Sequence, residues 1–269
     1  MPIININGVD LNYEISGQGE AIVFLHGYTG STQDWVNQIR VLSSKYKVVT
    51  LDCRGHGKSA APPGEEDYSV KILAEDVFGL LEMLNIKKCC LAGHSLGGFT
   101  ALQFAMGHQD LLVALVLVDT SSGEFARDPN YAQLRQKLDE LARSQGMEAA
   151  FEYDAANNPM RIERFQKRPE QREISRRKVL QTSVDGYIYM SRAIDKWESL
   201  TSRLSEIKVP ALIFWGDEDL PFTEAVQVLK NGIADSELVT VKGAGHNPHE
   251  EAPDVFNEAL LRFLSRIKW

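Results

Sequence analysis

The chain has 269 residues, 43% hydrophobic and 25% charged, with a formal net charge of −8 and a pI near 5.3. These proportions fit a globular domain and exclude a disordered, collagen-like or disulfide-stapled chain. The longest wholly apolar run, residues 111–118, falls far short of the roughly 20 residues that cross a bilayer. The opening MPIININGVD has neither a basic nor an apolar targeting region. The three cysteines, Cys53, Cys89 and Cys90, are an odd set with an adjacent pair, and read as small buried residues of a reducing compartment. The expectation is a cytoplasmic monomer or homodimer with no membrane partner. The acidic balance argues against nucleic acid.

In chain order, IININ and DLNYEIS alternate in period two around Asn7-Gly8, the pattern of an antiparallel hairpin at a sheet edge. AIVFLHG, KVVTLD, CCLAGHS and ALVLVDT are continuous apolar runs ending in turn or polar residues, as buried strands do. Between them, residues 32–44, 70–84 and 97–106 carry apolar side chains at helical spacing. Strands alternating with helices predict a mostly parallel sheet covered on both faces.

The texture changes over residues 124–206. Only Gly146 and Gly186 of the 20 glycines fall there, with 15 of the 29 lysines and arginines. QLRQKLDELARSQG and REISRRKVLQTS read as surface helices laced by i,i+4 charge pairs. Then VPALIFWG and SELVTVKG read as strands, and residues 223–230 and 254–267 as helices. The predicted organisation is an α/β core at 1–123 and 207–269, interrupted by a helical cap at 124–206.

Four loops carry chemistry. Gly93-His94-Ser95-Leu96-Gly97, with Gly98 behind it, follows a strand and opens a helical pattern. A tight strand-to-helix turn of that kind lifts a serine out of the sheet as a nucleophile, where a bland reading is a glycine turn with an incidental serine. His26-Gly27-Tyr28-Thr29-Gly30 follows AIVFL. It suits an oxyanion hole made by the backbone N–H groups of Tyr28 and Leu96, with His26 fixing the loop by hydrogen bonds. Gly243-Ala244-Gly245-His246 is a glycine-flanked loop late in the chain that offers a general base, His246. His249, next to Pro248, reads instead as a partly exposed surface residue. Gly216-Asp217-Glu218-Asp219 ends a strand and supplies an acid to orient the imidazole, with three acids competing. Asp119 is a rival acid, better read as a turn or cap residue.

Other motifs carry less. Residues 52–59, DCRGHGKS, lack phosphate-loop spacing and read as a structural loop. No H-E-x-x-H, C-x-x-C or G-x-G-x-x-G appears, so no metal and no cofactor is expected.

Together the HG-x-x-G loop, the GHSLGG turn, the late GAGH and the D-x-R-G-x-G-x-S loop resemble the α/β-hydrolase superfamily over essentially the whole chain. The resemblance implies an eight-stranded sheet, Ser95 as nucleophile, His246 as base and, from the usual offset after the strand-ending glycine, Asp219 as acid. Departures narrow the choice. Haloalkane dehalogenases and epoxide hydrolases place Asp where Ser95 stands. Carbon–carbon-bond hydrolases usually carry Asn and Trp at the positions of His94 and Asn247. The menaquinone-pathway synthase usually has Arg at the position of Phe99. What the resemblance implies is a carboxylesterase or lactone hydrolase, acting on a small apolar ester. Tyr28, His94, Phe125, Tyr187 and Trp197 are the expected substrate contacts. The alternatives are a carbon–carbon-bond or enol-lactone hydrolase, or a non-catalytic receptor on the same fold. The basic stretch 161–178 could face an anionic substrate, but the acids that interrupt it favour a solvated helix face.

Overall fold

A computed structural model describes residues 2–123, 125 and 129–269. The strands are β1 (Ile3–Ile6), β2 (Val9–Ser16), β3 (Ala21–Leu25), β4 (Lys47–Leu51), β5 (Cys89–His94), β6 (Leu112–Val118), β7 (Ala211–Gly216) and β8 (Ser236–Val241). They form one eight-stranded sheet in the order β1-β2-β4-β3-β5-β6-β7-β8. The sheet is mixed. β1 and β2 are the expected edge hairpin, turned at Asn7 (φ +52) and Gly8 (φ +80), and β2 runs antiparallel to β4. From β4 to β8 every pairing is parallel.

Helices cover both faces: α1 (Val36–Leu42), α2 (Val70–Met83), α3 (Leu96–His108), then α4 (Tyr131–Gln145), α5 (Met147–Asn157), α6 (Pro159–Lys167), α7 (Glu170–Leu180) and α8 (Val184–Lys196) between β6 and β7, and finally α9 (Thr223–Gly232), α10 (Pro248–Glu251) and α11 (Pro253–Leu264). The helical pattern at 32–44 resolves into a 3₁₀ turn, capped by the Ser31 hydroxyl, followed by α1.

Strand alternation splits the core in two. Val23, Leu25, Leu91, Leu115 and Ile213 point to the face covered by α2, α3 and α9. Ile22, Phe24, Ala92, Val116 and Phe214 point to the face covered by α1 and α11, around Trp35 and Phe256. Every residue of β3 and β5 is buried, which is why both read as unbroken apolar runs. Cys53, Cys89 and Cys90 are free and buried, and burial pushes the Cys89 thiol up to about 12.

The helices between β6 and β7 have a small core of their own, including Leu138, Leu141, Phe151, Val179 and Ile188. They meet the rest of the molecule along two different seams. On one, α8 abuts the loop after β4 so closely that a Cβ on Gly186 would lie 2.5 Å from the Gly55 carbonyl oxygen, and Ser183 N–H donates to that oxygen at 2.9 Å. On the other, α6 and α7 meet the loop after β7 and α10 through ion pairs: Arg164–Glu251 (3.1 Å), Arg168–Glu218 (3.0 Å) and Lys178–Glu250 (2.7 Å).

Candidate active site

The turn between β5 and α3 forces Ser95 into φ +49, ψ −112, a conformation that costs a non-glycine residue on the order of 1–3 kcal/mol. Its surroundings over-determine it. Ser95 N–H donates to Val118 O (2.9 Å), and Ser95 O accepts from Gly98 N (2.8 Å) and the Thr120 hydroxyl (2.8 Å). The glycines permit the approach: a Cβ on Gly93 would come 2.1 Å from Gly97 O, and one on Gly97 would come 2.3 Å from Leu25 O. Strain held at one serine by crowded backbone is what a functional turn looks like.

His246 lies on the loop between β8 and α10. Its Nδ1 donates to Asp219 Oδ2 at 2.7 Å. Asp219, 7% exposed, sits just beyond β7. Asp217 turns elsewhere, accepting from Gly243 N (2.7 Å) and pairing with Lys242 (3.2 Å), and Glu218 pairs with Arg168. Of the three competing acids, Asp219 is therefore the one that reaches the imidazole. The ring is flanked by Phe222 (5.0 Å between centroids) and His94 (4.8 Å).

Ser95 and His246 line one cavity of about 170 Å³ with Gly27, Tyr28, Thr29, Gly30, His94 and Asn247. The Gly27–Gly30 turn is closed by Gly30 N–H to Gly27 O (2.9 Å) and takes Thr29 to φ +63. His26 holds it from below: Nδ1 bonds Gly27 O (2.7 Å) and Nε2 accepts Cys53 N–H (3.0 Å), a set that suits a neutral ring. Leu96 is the first residue of α3, so its N–H has no acceptor within the helix. The loop 52–59 is structural, as expected: Asp52 accepts from Thr32 N (2.6 Å), Asn12 Nδ2 (2.8 Å) and Lys58 N (2.9 Å).

The expected substrate contacts separate. Tyr28 and His94 are on the cavity wall. His94 is almost wholly buried, and its Nε2 is committed to the carbonyl of His246 (2.6 Å), so it couples the serine turn to the histidine loop. Burial, with His249 and His246 beside it, holds its pKa well below the usual imidazole range. Phe125, Tyr187 and Trp197 lie off the wall. The Tyr187 carbonyl accepts from the Tyr28 hydroxyl, and Arg135 lies 4.0 Å over its ring. Trp197 stacks on Phe99 (4.8 Å), and Phe125 stacks on Phe222 (4.8 Å). Phe99 is thus an apolar packing residue.

Two readings need correction. His249 is fully buried: Pro248 opens α10, and the turn tucks the ring against Trp35, 4.3 Å away. The basic stretch 161–178 is not simply a solvated face. Arg161 and Arg164, three apart on α6, and Ser175 and Lys178, three apart on α7, project into the cavity. That spacing was the available signal; the interleaved acids Glu163, Glu170 and Glu173 obscured it. Arg164 bonds Gln171 Oε1 (2.8 Å) and Glu251 Oε1 (3.1 Å), and Asn247 with its amide oxygen turned inward accepts from it, yet its buried Nε–H has no partner among the described residues. Burial alone would lower the Lys178 pKa, but Asp34 and Glu250 reverse this and hold the ammonium above its ordinary value. The wall is therefore polar, where an apolar one was expected, and its cations are ion-paired: Arg161 with Asp154 (3.1 Å), Arg164 with Glu251, and Lys178 with Glu250 and with Asp34 (3.1 Å), which also lines the cavity.

The family model for the alpha/beta hydrolase fold matches residues 20–253. The chain belongs to that family. It is 30% identical to the "Putative 2-succinyl-6-hydroxy-2,4-cyclohexadiene-1-carboxylate synthase" of Bacillus subtilis (strain 168), covering 99% of this chain and 100% of that one. It is 30% identical to a "2-hydroxy-6-oxononadienedioate/2-hydroxy-6-oxononatrienedioate hydrolase" of Burkholderia vietnamiensis, covering 95% and 91%. The crystal structure of the enol-lactonase from Burkholderia xenovorans LB400 superposes with a TM-score of 0.85 at 28% identity, covering 98% and 100%. The family and these relatives mark the chain as a hydrolase with esterase and lactonase kin.

Proposed function

We propose that this hydrolase cleaves a carboxylic ester or lactone that carries an anionic group, through an acyl-enzyme on Ser95. The observation that carries the reading is the convergence of a strained serine and an aspartate-bound histidine on one cavity with ion-paired arginines in its wall. Ser95 Oγ attacks the carbonyl carbon while His246 Nε2 takes its proton. The tetrahedral oxyanion is held by the amides of Tyr28 and Leu96, helped by the N-terminus of α3. The carbon–oxygen bond to the leaving group breaks, and His246 returns the proton to the departing alkoxide. Water, deprotonated by His246, then releases the acid and frees Ser95. Asp219 keeps the proton on Nδ1 so that Nε2 faces the serine.

Arg164 and Arg161 supply the preference for an anion. Arg164 combines a place on the wall with a buried donor that meets no acceptor among the described residues, which suits a carboxylate. Two of the relatives support this choice, since their names denote carboxylate-bearing compounds. Phe99 favours ester or lactone cleavage over the synthase chemistry, because no cation stands at that place.

The decisive experiment is turnover of p-nitrophenyl acetate together with labelling by a serine-directed fluorophosphonate. The wild type should turn over repeatedly and carry the label on the peptide containing Ser95. Ser95→Ala should fold normally, take no label and lose at least about 10³-fold in kcat. A Ser95→Ala protein that hydrolyses the ester at a wild-type rate refutes the assignment.

A further inference from the structure

Asp119, expected to be a turn or cap residue, has surroundings that a turn or cap does not require. It follows β6 directly, is fully buried and holds φ +39, left-handed backbone that an aspartate adopts at a cost. Its N–H donates to Phe214 O (3.0 Å), and its Oδ1 accepts from Gly216 N (3.1 Å), so the residue is clamped against β7. Its Oδ2 meets no N–H or neutral hydroxyl among the described residues. Gly216, which Asp119 holds through Oδ1, lies three residues before Asp219, and the Asp219 carboxyl, whose Oδ2 accepts from His246, acts on the Asp119 carboxyl across that turn.

Two carboxylates so placed cannot both be ionised, so one proton must lie between them. The rest of the environment decides where. The His246 N–H favours charge on Asp219, which keeps 7% of its surface, while Asp119 has none. Arg164 acts on Asp219 across the cavity, and Glu251 on α10 adds a second negative charge near Asp119. Burial first, then the Asp219 charge, drive the Asp119 carboxyl well above the usual range.

We propose that Asp119 is a protonated positioning residue, whose carboxyl O–H donates to Asp219 and fixes the single negative charge of the pair on the oxygen facing His246. Its Oδ1 stays on the Gly216 amide, so the donor cannot rotate away. Asp219 is thereby held in one rotamer by a donor at each end, and the imidazolium formed during catalysis faces one charge. This role rests on the triad reading above.

The test compares Asp119→Ala and Asp119→Asn using p-nitrophenyl acetate and the pH profile of kcat/KM. Asp119→Ala removes the donor and should lower kcat about 10- to 100-fold with KM little changed. Asp119→Asn offers an amide N–H to Asp219 and an oxygen to Gly216. It should restore most of that loss and leave the midpoint of the acid limb in place. An ionised Asp119 would instead give an Asp119→Asn midpoint lowered by ~0.5 pH unit or more, which overturns the proposal. So would an Asp119→Ala enzyme with undiminished kcat. Infrared spectroscopy decides independently of turnover and of the alanine variant's folding. The wild type at neutral pH should show a protonated-carboxyl C=O stretch that Asp119→Asn lacks, and absence of that band refutes the idea. If the wild type fails to turn over the ester, the esterase reading falls while the band still decides the state of Asp119.

Discussion

Replacing Arg164 with Met keeps an unbranched apolar stem and removes the guanidinium with its charge and donors. The side chain is 17% exposed, so solvent screens it little. A charge-assisted hydrogen bond in such a place is worth about 1.5–3 kcal/mol, which is about 10- to 100-fold in kcat/KM. The assay is a matched pair of esters: p-nitrophenyl hydrogen glutarate, which carries a free carboxylate, and p-nitrophenyl valerate, which does not. Arg164→Met should lose about 10- to 100-fold on the first and less than about threefold on the second. The structural cost is bounded. Glu251 loses one partner but keeps Gly245 N–H (2.7 Å) and Arg168 (3.7 Å), so destabilisation of about 1–3 kcal/mol should appear in thermal unfolding. Equal losses on both esters would mean that Arg164 only props the histidine loop. Unchanged rates on the charged ester would remove it from the binding site altogether.

Further outcomes follow from the packing. Gly93→Ala drives a methyl to 2.1 Å from Gly97 O and should cost more than about 3 kcal/mol or prevent folding. Gly107→Ala, on the open side of α3 with nothing within 4 Å, should stabilise by about 0.5–1 kcal/mol in urea unfolding, and the opposite ranking would refute the account of the turn. His249 has a folded-state pKa held well below the usual imidazole value, mainly by burial and then by Lys178. As pH falls below about 6.5 the unfolded chain binds a proton that the folded chain refuses, so stability drops by up to ~1.4 kcal/mol per pH unit. Neither ring nitrogen has a hydrogen-bond partner among the described residues, so His249→Phe sacrifices none of the bonds described. It should flatten the stability–pH slope by that amount as pH falls below about 6.5. Parallel slopes for the two proteins would exclude His249 as the source.

The parts of this molecule readable from sequence are those whose cause is local. β3 is apolar from end to end and β5 up to Gly93 because helices cover both faces, glycines 93 and 97 stand where backbone meets backbone, and Gly98 stands against the Thr120 side chain. The loops at 26–30 and 243–246 announce themselves by glycine and by their place after strands. What escaped depends on which elements become neighbours. Nothing near Asp119 in the chain reveals that β7 lies alongside and delivers a second carboxyl. His249 looks exposed by its polar company, yet Trp35, remote in sequence, and Phe256, on the next helix, enclose it. Arg161, Arg164 and Lys178 share a region with a dozen other cations, and only the packing of α6 and α7 over the loop after β8 selects these three for the interior. Phe125, Tyr187 and Trp197 are aromatic and in the expected segment, but they pack on Phe222, on the tyrosine of the 26–30 loop and on Phe99 respectively.

The two seams of the inserted helices are held in different ways. Where Gly186 meets Gly55 the attachment is main chain against main chain, indifferent to dissolved ions and intolerant of any larger residue. Where α6 and α7 meet the loop after β7 and α10 the attachment is ionic, between side chains buried enough that added electrolyte screens them little. Added bulk therefore breaks the first seam and the loss of a single charge weakens the second, so the inserted helices answer to two different kinds of substitution.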